Sequence, residues 1–175
     1  ASEFVCHVID EKPYLIIGGK RYEDCSVLYF NKDVIAGFSP DPIQRGDVET
    51  GVTINGLFSS YSAIQTKELT GEEGKTISYS IAMNERAGNV SRFTVFIDKE
   101  NPSAKWIDGE GNPIANNGFT NKNVSLDYEA DASAIYSYNG SEYQDYKNGD
   151  VFSEESDYIV ILTDKAGNKS TYSIT

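Results

Sequence analysis

The sequence predicts an all-β chain built as two tandem β-sandwiches, and three observations carry that expectation. Strand-like runs recur along all 175 residues. The clearest is 76–83, where Ile77, Tyr79, Ile81 and Met83 alternate onto one face, the period-two mark of a half-buried strand. Turn residues separate nearly all the runs: Gly18-Gly19, Asn55-Gly56, Gly71, Gly74, Asn139-Gly140 and Asn148-Gly149-Asp150. The third observation is a small turn written twice, Glu85-Arg86-Ala87-Gly88-Asn89 and Asp164-Lys165-Ala166-Gly167-Asn168, each after a long alternating run.

Taken in order, the expected strands are 4–9, 14–17, 25–30, 52–54, 76–83 and 92–97 in the first half. The second half supplies 124–128, 134–138, 158–162 and 170–174. No segment carries an apolar helical period. The 12 tyrosines and 15 glycines agree with pleated, half-buried surfaces joined by tight turns.

The order of features is the same in both halves. Gly88 and Gly167 are 79 apart, Asn55 and Asn139 are 84 apart, and Gly19/Gly118 and Ser26/Ser125 are each 99 apart. The growth from 84 to 99 assigns the first copy about fifteen extra residues near 36–51, AGFSPDPIQRGDVETG. Pro40 and Pro42 forbid a regular central strand there, so a projecting loop over 36–51 is expected. Residues 2–13 also resemble 91–102. Two readings stay open for 1–10: the tail of a preceding repeat, or the first strand of copy one.

The repeated turn reads as a folding device. Glycine takes the positive φ that a tight hairpin needs. Asp164 is expected to accept hydrogen bonds from the turn amides beyond it, and Glu85, with its longer side chain, to do so less well.

The run Tyr158 to Asp164, followed by Lys165-Ala166-Gly167-Asn168, resembles the end of a bacterial immunoglobulin-like repeat. Ala87-Gly88-Asn89 through Phe93 to Lys99 and then Pro102 is similar. The resemblance is strong over 139–175, fair over 72–102 and weak over 14–70. It implies two tandem immunoglobulin-like domains, 1–98 and 99–175, with a short Lys99-Glu100-Asn101-Pro102 linker that limits bending. It also implies an extracellular or bacterial cell-surface location, and neighbouring domains of a larger chain as partners. The first residues, Ala1-Ser2-Glu3, agree with a mature or excised piece. In such an exported chain Cys6 and Cys25 either form a disulfide or remain two free thiols.

Composition bounds the partners. A net charge of −12 repels a phosphate backbone, so nucleic acid is not expected. No apolar run is long enough for membrane insertion as a helix. The one histidine, His7, gathers no nucleophile or acid in sequence. The acid pairs Glu72-Glu73 and Glu154-Glu155 occupy equivalent repeat positions and read as solvated turns. Asp108-Gly109-Glu110-Gly111-Asn112 begins like a calcium loop and then fails the pattern at Pro113 and Phe119. No cofactor is expected; a softer alternative is interdomain calcium, held by Asp98, Glu100 and Asn101 with Asp10 and Glu11 at the echo.

The expected function is therefore a non-catalytic spacer or display module, not an enzyme. The alternative is recognition of a glycan or host protein through the 36–51 loop or exposed tyrosines. The candidate ligand-binding residues are Phe38, Ile43 and Arg45 on that loop, Trp106 past the linker, and Tyr143 in the cluster with Tyr136, Tyr138 and Tyr146.

Overall fold

The computed structural model describes residues 12–39, 50–85 and 88–175. Its contacts divide the chain into two units, 1–99 and 100–175.

The first unit contains β1 (Leu15–Ile17), β2 (Lys20–Tyr22), β3 (Val27–Phe30), β4 (Val34–Phe38), β5 (Gly51–Ile54), β6 (Leu57–Ser60), β7 (Thr66–Leu69), β8 (Thr76–Asn84) and β9 (Val90–Asp98). They form two sheets, ordered β2-β1-β4-β7 and β3-β9-β8-β5-β6. All pairings are antiparallel except β3 with β9. Leu15, Ile17, Val34, Ala36, Phe38 and Leu69 face Val52, Ile81, Met83, Phe93, Val95 and Ile97 in one buried core. The inward residues fall at every second position, as a pleated strand requires.

The second unit contains β10 (Ala104–Asp108), β11 (Pro113–Ile114), β12 (Val124–Tyr128), β13 (Ser133–Tyr138), β14 (Gln144–Tyr146), β15 (Val151–Phe152), β16 (Tyr158–Thr163) and β17 (Lys169–Ile174). The sheets are β11-β10-β12-β15 and β14-β13-β16-β17. This is the arrangement of the first unit strand for strand. The counterpart of β3 is the segment at Gly118, which bridges β17 in parallel at Ile174. The core is more aromatic. Phe152 stacks on Tyr158 at 4.0 Å and lies 5.1 Å from Tyr136 and 6.1 Å from Trp106. Tyr146 ties the layers together. Its hydroxyl accepts from the Leu126 amide at 2.8 Å and donates to the Asp150 carbonyl at 2.5 Å, and burial pushes the phenol up to about 12.

Turn chemistry explains the hairpins. Asn55-Gly56 and Asn139-Gly140 have positive φ at both residues, 48° with 84° and 48° with 77°. Those are the angles of the turn whose twist matches the flanking strands. The corner before β3 is pinned by Asp24, whose carboxylate accepts from the Arg92 amide at 2.8 Å and from Lys12 Nζ at 2.9 Å. The Arg92 amide first, then Lys12, hold the Asp24 carboxyl down to about 2.

The ladders correct two expectations. Residues 36–51 are not one loop, because Ala36, Gly37 and Phe38 belong to β4 and Gly51 opens β5. The excess of about fifteen residues is also too large. Between β4 and β5 lie twelve residues, 39–50, against four, 129–132, between β12 and β13, so the excess is eight. Ser26 and Ser125 are not equivalent positions, nor are Gly19 and Gly118. Ser26 leads into β3, whereas Ser125 lies inside β12, the counterpart of β4; Gly19 turns β1 into β2, whereas Gly118 makes the parallel bridge. Residues 1–11, with both readings of the 1–10 segment, lie outside the described residues.

Candidate functional site

The repeated turn has the geometry its chemistry predicts. In the second unit the Asp164 amide donates to the Asn168 carbonyl and the Gly167 amide returns to the Asp164 carbonyl. Asp164 Oδ1 accepts from the amides of Ala166 at 3.0 Å and Asn168 at 2.8 Å, and Oδ2 accepts from Asn168 Nδ2 at 3.0 Å. Glu85 repeats the backbone pattern, and its Oε1 accepts from the Asn89 amide at 2.8 Å. Its Oε2 is buried with no hydrogen-bond partner among the described residues. The longer side chain fills the corner and satisfies less of it.

The same device occurs a third time, in the stretch that begins like a calcium loop and fails the pattern. Asp108 Oδ1 accepts from the amides of Glu110 and Asn112, both at 2.9 Å. Gly111 takes φ 82°, close to the 89° of Gly88 and Gly167. An acid three residues before Gly-Asn is the common signature. The Asn112 amide leads in holding the Asp108 carboxyl below the usual carboxylate range. This carboxylate is occupied by its own turn.

The candidate ligand-binding residues do not converge. Phe38 is 5% exposed on the inner face of β4, and Trp106 is 1% exposed in the second core. Neither can offer a ring face to an outside partner. Ile43 and Arg45 lie outside the described residues. Tyr143 is 48% exposed, just before β14. Cys25 is exposed with φ 68°, and Cys6, with which it either forms a disulfide or stays a second free thiol, lies outside the described residues, as does His7. Glu72, Glu73, Glu154 and Glu155 are all exposed, with Glu72 paired to Lys75 at 3.0 Å. Among the described residues no three of His, Cys, Asp and Glu gather as a metal would need, and no helix is long and apolar enough to cross a membrane.

The ladders do assemble a site that the sequence showed only as scattered tyrosines. Ile54 pairs with Ile81, and Tyr136 pairs with Val160. Ile81 and Val160 are 79 apart, the same offset as Gly88 and Gly167, so Tyr136 stands where the first unit has Ile54. The second unit then extends β13 by two residues, Ser137 and Tyr138, before its Asn-Gly turn. Tyr138 pairs with Tyr158 and so shares its inward face. The opposite sheet ends there in the two-residue β15. Tyr138 is consequently left 42% exposed on a face meant for the core. A groove of about 290 Å³ results, lined by Tyr136, Tyr138, Gln144, Val151, Ser153 and Glu154 over Phe152 and Tyr158.

No protein-family model matches the chain, and no curated protein matches it. Among solved structures it is similar to fibronectin(III)-like modules of Clostridium thermocellum CbhA. That likeness has 11% identity over 91% of each chain and a TM-score of 0.34. It is also similar to the Bacteroides ovatus mixed-linkage glucan utilization locus protein SGBP-B, solved in complex with a mixed-linkage heptasaccharide. There the identity is 14%, the TM-score 0.26, and the coverage 95% of this chain and 48% of the other.

Proposed function

We propose that the chain is a non-catalytic spacer or display segment of a secreted or surface-anchored bacterial protein, suited to carrying tension along its length. One observation supports this above the rest: in each unit an early segment pairs in parallel with the last strand. β3 matches β9 from Val27 opposite Thr94 to Phe30 opposite Ile97, reinforced by Tyr29 stacked on Phe96 at 4.9 Å. In the second unit the Asn117 amide donates to Ser173, the Thr175 amide to Gly118, and the Thr120 amide to Thr175. When the two ends of a unit are pulled apart, parallel strands slide past one another. All ladder bonds then share the load in shear, instead of opening one at a time.

The test is single-molecule stretching of the whole chain between reference domains. Two unfolding events are expected, with extended lengths of roughly 33–36 nm for the first unit, 1–99, and roughly 25–27 nm for the second, 100–175. Leu28→Pro removes a β3 amide and should lower the force of the first unit's event while leaving the second unit's unchanged. Equal forces with and without the proline would remove the support for a tension-carrying role.

A further inference from the structure

We propose that the groove beside Tyr138 in the second unit is a shallow binding site for a neutral saccharide. The inference goes beyond the spacer reading and does not depend on it, since a spacer can carry a binding groove.

The fold does not ask for this surface. Unit one meets the same position with the half-buried Ile54 and turns immediately at Asn55-Gly56. Unit two substitutes Tyr136 and adds Tyr138 where the covering sheet has already ended. A core position carrying an exposed aromatic ring, with no strand to cover it, presents aromatic surface to solvent. The Tyr136 and Tyr138 rings lie 6.5 Å apart and only 29° from parallel. Both rings line the groove and stand on the inward side of β13, so together they offer it aromatic surface.

The rim selects among ligands that would rest on that surface. Gln144, Ser153 and Glu154 are exposed around it. They offer both donors and acceptors, as a polyol requires. No Lys or Arg lines the groove among the described residues, and the chain carries a net charge of −12. An anionic ligand is therefore repelled. A ring with an apolar C–H face and a hydroxyl edge fits both features. The volume, about 290 Å³, suits one or two sugar rings of a longer chain crossing the groove.

The experiment titrates the whole chain with neutral hexasaccharides (cello-, xylo-, manno- and malto-series) by calorimetry, at low and high salt. A hexa-arginine peptide serves as the cationic comparator. At least one neutral sugar should bind at up to millimolar concentration, with affinity insensitive to salt. Tyr138→Ala should weaken that binding about tenfold, in line with the loss of one stacking ring. Tyr138→Phe, which keeps the ring, should retain most of it, and Leu57→Ala on the other unit should change nothing. Trp106 fluorescence verifies that the second unit, which carries the groove, is folded in each variant. The proposal is overturned if no neutral sugar binds, if Tyr138→Ala binds as the parent does, or if only the peptide binds and salt abolishes it.

Discussion

Replacing Asp164 by Ala isolates the folding device. Three hydrogen bonds vanish: two from the amides of Ala166 and Asn168, and one from Asn168 Nδ2. Hydrogen bonds to a charged acceptor contribute roughly 1.5–3 kcal/mol each when buried. These are only part-buried, so water replaces some of the loss, and the nearest analogue, a helix N-cap, gives about 0.5–2 kcal/mol. The expected cost is about 2 kcal/mol, confined to the second unit. The chain has a single tryptophan, Trp106, buried in that unit's core, so its fluorescence reports the second unit alone. With a urea slope of about 1–2 kcal/mol per molar, the midpoint should fall by roughly 1–2 M. Asp164→Asn keeps an acceptor at Oδ1 and should lose less than about half as much. If the two variants fall equally, the turn depends on charge and not on acceptor geometry. If Asp164→Ala leaves the midpoint in place, the turn is not a stabilising device at all.

Three further outcomes follow from the same reasoning. Glu85→Asp installs the shorter acid in the first unit and re-sites the second oxygen, which as Glu85 Oε2 has no partner among the described residues, where Asp164 Oδ2 meets the Asn side chain of its turn, so it should stabilise that unit by about 1 kcal/mol in calorimetry. Tyr146→Phe leaves the buried Leu126 amide without its partner and should cost the second unit about 2 kcal/mol by the same Trp106 signal. The Arg92 amide and Lys12 hold the Asp24 carboxyl down from its ordinary 3.8 to about 2. Its contribution is therefore full above the unfolded value and is lost as pH falls through about 2. The first unit's melting temperature should drop over that window, less steeply in Asp24→Asn.

The sequence by itself determined what is local. Period-two alternation located β8, β9, β12, β13, β16 and β17 because a pleated strand with one buried face must alternate, whatever its partners. Asn-Gly and Gly-Asn located the hairpins because positive φ is a property of one or two residues. The role of Asp164 was legible for the same reason: its acceptors and donors lie within four residues. Tertiary structure alone decided what depends on a partner across the fold. The two- to four-residue strands β2, β6, β7, β11, β14 and β15 are strands because a neighbour pairs with them, not because they alternate. Phe38 and Trp106 look like exposed ligands in sequence, and only the opposing sheet shows them as core. Tyr138 is the converse. Its alternation marks it for the interior, and it is exposed because the two-residue β15 stops short of it. Cover comes from the other sheet, across a gap that no pattern within a strand records.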